Sequence, residues 1–191
     1  MILYRALETV GFRSCVRALL RMDVRGSEHV PERGPVVLAA NHESIWDPFV
    51  LGALTERPIR YMAKAELWRY PLLRSAMNAF GTFPVERGGG DLQAVHQGVA
   101  LLERGEIVGI FPQGTSRLDL PRRYQRGAAR LAIQTGAVLV PVRLTGTRRL
   151  LRPGFPKVTM EALPPIVVER GRATVAAAKQ LTARLEEAIA G

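Results

Sequence analysis

Along most of the chain, short continuous apolar runs alternate with longer stretches whose apolar residues recur at helical spacing. Val36–Ala40 is entirely apolar, with Gly34-Pro35 before it and Asn41 after it, the pattern of a strand buried on both faces. Residues 59–63, 82–85, 107–111, 138–144 and 158–162 also read as strands, 107–111 as a buried one. Between them lie helical stretches. One covers 48–54, with Asp47 as N-cap and Pro48 at the first helical position. A second covers 71–80 and a third 126–134. Asp91 caps another, whose apolar face is Leu92, Val95, Val99 and Leu102 and whose end is marked by Gly105. Residues 174–190 predict a closing amphipathic helix with Val175, Ala178, Leu181, Leu185 and Ile189 inward. Strands alternating with helices predict an α/β fold, with a mostly parallel central sheet flanked by helices.

The start of the chain has a different pattern. Residues 2–22 predict a helix with Ile2, Phe12, Val16, Leu19 and Leu20 toward one side and a stripe of Arg13, Arg17 and Arg21 beside it. Such a helix either packs on the fold or lies in a membrane interface, its arginines among phosphate headgroups. The expected organisation is an N-terminal amphipathic, membrane-contacting helix at 1–23 and a single domain at 24–191. Residues 1–20 lack a continuous apolar run, so neither a secretory signal nor a span is expected. The longest mostly apolar stretch, 128–144, is interrupted by Arg130, Gln134, Gly136 and Pro141.

Composition narrows the class. With 47% hydrophobic and 23% charged residues in a chain of 191, a folded domain with a substantial core is expected. The formal net charge is +10, and only three of the 27 basic residues are Lys, namely Lys64, Lys157 and Lys179. A basic surface concentrates anionic partners: nucleic acid, anionic lipid or phosphorylated small molecules. Nucleic acid is disfavoured, because the chain carries no helix-turn-helix, zinc-finger or RNA-binding signature and its aromatics, at 6%, do not interleave with arginine. Cys15 is the single cysteine, which excludes an internal disulfide and a cysteine-rich metal site. No metal is expected.

Three segments at strand ends carry the candidate chemistry, at the edge where ligands gather in such folds. The first, 41–48, holds His42, a side chain able to take a proton at neutral pH. Asp47 is the carboxylate available to orient it. Five residues correspond to about 140° around a helix, so the two meet only if the loop between them curls. The alternatives are an Asp47 that only caps a helix and a His42 that is only a hydrogen-bonded loop residue. Ser44 lies nearby without a Gly-x-Ser-x-Gly elbow, so a direct attack without a covalent enzyme intermediate is the simpler chemistry. In the second segment Arg87 precedes Gly88-Gly89-Gly90 and a capped helix, a combination suited to an anion or to a solvated surface loop. In the third, Gln113, Gly114, Thr115, Ser116 and Arg117 follow Pro112, as a site for phosphate or a developing oxyanion or as a plain turn. The Gly-x-x-x-x-Gly-Lys pattern of a P-loop is absent.

Taken in order, Asn41-His42-x-Ser44-x-x-Asp47-Pro48, Gly81-x-Phe83-x-x-x-Arg87, Phe111-Pro112-x-Gly114-Thr115 and Val140-Pro141-Val142 resemble the glycerolipid acyltransferase family, over roughly residues 24–165. Its best-known members are 1-acylglycerol-3-phosphate O-acyltransferases. The resemblance implies transfer of a fatty acyl group to a hydroxyl of a lysophospholipid, with acyl-CoA or acyl-carrier protein as co-substrate and no bound cofactor. It implies His42 as base with Asp47 as its orienter. It implies a phosphate site from Arg87, Lys64, Gln113, Gly114, Thr115 and Arg117, and an acyl-chain environment at Val140, Pro141 and Val142. It also implies a peripheral position on the cytoplasmic face of an anionic membrane. Two departures bear on the acceptor: Gln113 stands where the family has Glu, and Ser116-Arg117 reverses the usual Arg-Ser order. The acceptor therefore stays open between 1-acylglycerol-3-phosphate, another lysolipid and glycerol-3-phosphate. A non-catalytic basic lipid- or nucleic-acid-binding protein is the remaining alternative.

Overall fold

The computed structural model describes residues 11–79, 81–85, 92–115, 123–150 and 157–191. Its strands are β1 (Asp23–Arg25), β2 (Val36–Ala40), β3 (Ile59–Lys64), β4 (Phe83–Val85), β5 (Ile107–Ile110), β6 (Val138–Thr145) and β7 (Thr159–Ala162). Its α-helices are α1 (Phe12–Leu19), α2 (Asp47–Leu51), α3 (Pro71–Ala79), α4 (Leu92–Glu103), α5 (Gly127–Thr135) and α6 (Val175–Ala190). The strands form one sheet in the order β1-β7-β6-β2-β5-β3-β4. From β6 to β4 every neighbouring pair is parallel. β7 runs antiparallel to β6, and β1 pairs parallel with β7.

The five residues of β2 are all fully buried because the strand lies in the middle of the sheet with layers on both faces. Val36, Leu38 and Ala40 join Val50, Leu51 and Leu54 from the α2 region, with Val16 of α1 and Leu20 just past it packed alongside. Val37 and Ala39 join the opposite layer, with Leu102 of α4, Leu131 and Ala132 of α5, and Leu181 and Leu185 of α6. The alternation follows from the pleat. Thr174 caps α6, its hydroxyl accepting from the Ala177 N–H at 3.2 Å.

Most of the expected elements form within a residue or two of their predicted bounds, and three readings change. The helix expected at 2–22 is described as α1 alone; Gly11 before it has φ 68°, and residues 1–10 lie outside the described set. α1 packs on the fold: the Arg17 guanidinium donates twice to the Ala53 carbonyl, at 3.0 and 2.7 Å. β1 was not anticipated, because three residues with one apolar side chain, Val24, give no periodic signal. Asp47 is not an N-cap: Trp46 occupies that position and Asp47 lies inside the first turn of α2.

Gly109 of β5 shows how tightly the sheet face is packed toward the site. A Cβ there would lie 2.7 Å from Cε1 of Tyr61 and 2.8 Å from Cγ2 of Ile59. Gly109→Ala is expected to destabilise the fold by about 1–3 kcal/mol through overpacking, measured by urea unfolding. A stability equal to that of the parent would show that β3 yields at no cost.

Candidate active site

The site forms where parallel strands end together. β2 stops at Ala40, one residue beyond the level of Ile110 on β5 and level with Val142 on β6. The next residue, Asn41, extends the pairing through its side chain. Its Nδ2 donates to the Leu144 carbonyl at 2.8 Å, and its Oδ1 accepts from the Leu144 N–H at 2.7 Å. The main chain is thereby released from β6 at the position where His42 begins the loop.

The loop then curls around one atom. Oδ2 of Asp47 accepts from the N–H groups of Glu43 at 2.6 Å and Ser44 at 2.8 Å, and lies 2.7 Å from Nδ1 of His42. Asp47 is fully buried, and a carboxylate in that environment needs donors close by. Among the described residues no donor reaches its Oδ1. A carboxylate only accepts, so the 2.7 Å contact places the imidazole proton on Nδ1. The lone pair is then on Nε2, and 18% of the His42 side chain remains accessible.

Phe111 and Gln113 approach from β5. The Phe111 ring stacks on the His42 ring with centroids 4.4 Å apart and an interplanar angle of 25°. Tyr61 lies behind it, 6.4 Å from Phe111 and tilted only 10°, and its hydroxyl donates to the Pro48 carbonyl at 2.8 Å. Gln113 sits in a turn in which the Gly114 N–H donates to the Phe111 carbonyl at 2.9 Å, and Gly114 has φ 67°. That turn aims Oε1 of Gln113 at the His42 N–H, which donates to it at 2.7 Å.

The expected site residues are distributed as follows. His42, Asp47 and Gln113 meet, although Gln113 contacts the His42 backbone. Gly114 and Thr115 belong to the same turn and are partly buried. Lys64 ends β3 opposite Val85 of β4, at the same edge of the sheet. Val140 and Val142 have no exposed surface and Pro141 is buried, so this segment belongs to the core beneath the site. Arg87, Ser116 and Arg117 lie outside the described residues, as do Gly88-Gly89-Gly90 and Asp91. Sequence reasoning did not assign the stacking role of Phe111 or the bracing of the loop by Asn41. Their signals were present, in an aromatic just after a strand and an amide just before the histidine.

The fold and site define an α/β protein that carries a carboxylate-oriented histidine at the carboxyl edge of a parallel sheet. The Acyltransferase family model matches residues 21–145, and the chain belongs to that family. Over 144 residues the chain is 33% identical to a 1-acyl-sn-glycerol-3-phosphate acyltransferase of Bacillus subtilis, covering 71% of each protein. Over 149 residues it is 28% identical to a 1-acyl-sn-glycerol-3-phosphate acyltransferase of Borreliella burgdorferi, covering 74% of this chain and 60% of that protein. A lyso-ornithine lipid O-acyltransferase of Pseudomonas aeruginosa is 35% identical over 133 residues, 69% of this chain and 50% of that protein. The crystal structure of PlsC, the 1-acyl-sn-glycerophosphate (LPA) acyltransferase of Thermotoga maritima, shares the fold: TM-score 0.70 at 19% identity, over 98% of this chain and 90% of that one.

Removing the Asp47 carboxylate strands the Glu43 and Ser44 N–H groups and frees the imidazole. Asp47→Ala is expected to lower stability by about 1–3 kcal/mol in chemical unfolding. Nitrogen-15 NMR of His42 should change from one tautomer to a mixture. An unchanged tautomer would show that Asp47 does not orient the ring.

Proposed function

We propose that the protein is an O-acyltransferase that moves a fatty acyl group from a thioester donor, acyl-CoA or acyl-carrier protein, to a hydroxyl of a lysophospholipid. The observation that carries this reading is the 2.7 Å contact from His42 Nδ1 to the buried Asp47, with the ring stacked on Phe111. Family membership and the lysolipid acyltransferases among its relatives support it.

The chemistry follows from the geometry. Nε2 of His42 takes the proton of the acceptor hydroxyl as its oxygen attacks the thioester carbonyl. Asp47 stabilises the imidazolium so formed through Nδ1–H. The tetrahedral intermediate collapses to an ester, the carbon–sulfur bond breaks, and the imidazolium returns its proton to the departing thiolate. The acceptor's phosphate is assigned to Arg87, Lys64, Gly114, Thr115 and Arg117, with Gln113 beside them. Val140, Pro141 and Val142 would form the floor under the acyl end. The partner surface is an anionic membrane, contacted peripherally from its cytoplasmic side through the amphipathic N-terminal region. Two features favour that placement: the net charge of +10, and a chain in which no helix of the described residues is long and apolar enough to cross a bilayer.

Acceptor choice is where this chain departs from its family. Gln113 replaces a carboxylate with a neutral amide, and Arg117 stands one position later than in the family's motif. A lysolipid other than 1-acylglycerol-3-phosphate is therefore the expected preferred acceptor. A thiol-release assay with acyl-CoA and acyl-carrier protein against a panel of lysolipids and glycerol-3-phosphate tests donor and acceptor together. His42→Ala is expected to abolish release with an unchanged circular-dichroism spectrum, and Asp47→Asn to lower kcat roughly 100-fold or more. Transfer retained by His42→Ala would refute the mechanism. Turnover of 1-acylglycerol-3-phosphate as fast as of any other lysolipid would refute the acceptor assignment.

A further inference from the structure

We infer that Gln113 is a positioning residue for the base, acting on the His42 main chain, and not a ligand of the acceptor's phosphate. The inference rests on the reading of His42 as the base, and three observations support it.

The first is the bond itself. The His42 N–H sits where β2 has stopped pairing: register with β5 ends at Ala39 opposite Ile110, and register with β6 ends at Ala40 opposite Val142. A partly buried N–H at that point needs an acceptor. The Gln113 side-chain oxygen supplies it at 2.7 Å, across 71 positions of sequence. An N–H can only donate, so the amide oxygen, not its NH2, must face His42.

The second is the setting. Pro112 and Gly114, with its φ of 67° and its N–H on the Phe111 carbonyl, form a tight turn around Gln113. The Gln125 N–H secures that turn from outside by donating to the Pro112 carbonyl at 2.8 Å. The turn holds His42 twice, by its ring through Phe111 and by its backbone through Gln113. Asp47 fixes the remaining rotation through Nδ1.

The third is the partition of roles. The Gln113 oxygen accepts from His42, and its neutral amide brings no charge to a phosphate. A carboxylate at this position would present an accepting oxygen to the same N–H. The neutral amide and the family's Glu are thus interchangeable for holding the base, and they differ in the charge they place beside the acceptor.

The test compares Gln113→Leu, which removes the accepting oxygen, with Gln113→Glu, which keeps one. For Gln113→Leu, kcat should fall roughly 10- to 100-fold with the acceptor KM changed less than about twofold, the mark of a displaced catalytic group. Gln113→Glu should recover at least about tenfold of that kcat loss. Amide hydrogen exchange at His42 provides a readout that needs no activity: protection in the parent and Gln113→Glu, loss in Gln113→Leu. A rise in acceptor KM in both variants with kcat intact would overturn the inference in favour of a phosphate ligand. Equal exchange protection in Gln113→Leu and the parent would also overturn it. Were the parent to release no thiol with any acceptor, the acyltransferase reading would fall, while the exchange data would still decide whether Gln113 holds His42.

Discussion

The site depends on a buried carboxylate that satisfies itself by bending the chain around it. Asp47 has no exposed surface, and its Oδ2 gathers three donors from the five residues before it. Two are backbone N–H groups, so the loop at 43–44 is shaped by its own main chain closing on Asp47. The third is the imidazole. The bonds that make burial of the charge tolerable also orient the imidazole, which joins local stability to the proposed chemistry. An Asp that served only as a helix cap would have turned its oxygens toward α2.

Strand order supplies the rest of the frame. β2 lies between β5 and β6; β6 continues past its end, while β5 stops one residue short of it. The last contacts on each side are made by amide side chains. Asn41 reaches outward to Leu144 on β6, and Gln113 reaches inward from the turn beyond β5. His42 is thus suspended between two strands that are distant in sequence. Below it the Val140–Val142 segment is solid core, which gives the histidine a rigid base.

Arginine richness has a partly architectural explanation. Arg57 donates to the Pro31 and Gly34 carbonyls, both at 2.7 Å, near the opposite end of β2. Arg143 donates to the Ala188 and Ile189 carbonyls and ties the C-terminal end of α6 to β6. Arg17 joins α1 to Ala53, just past α2. These guanidiniums bridge main-chain carbonyls that have run out of partners, a task suited to a planar fork of donors. The net positive charge is therefore only partly a surface available to anions.

The sequence alone determined the elements that repeat a simple period. Short apolar runs bounded by Gly, Pro and polar residues read as strands, and the 3.6-residue spacing between them as covering helices, so the α/β class was legible before any contact was known. His42 and Asp47 were legible as candidates because they stand in order with Arg87, the Phe111–Thr115 turn and Val140–Val142. Whether they met was not, since five residues fit a helix cap as well as a curled loop. Nor was the destination of Gln113 legible, whose amide suited a phosphate equally well. β1 and the antiparallel direction of β7 were likewise invisible, because three mixed residues carry no period and strand direction leaves no mark on composition. Tertiary structure decided these points for one reason: each depends on which donor meets which acceptor, and the packed chain, not its local sequence pattern, fixes that distance.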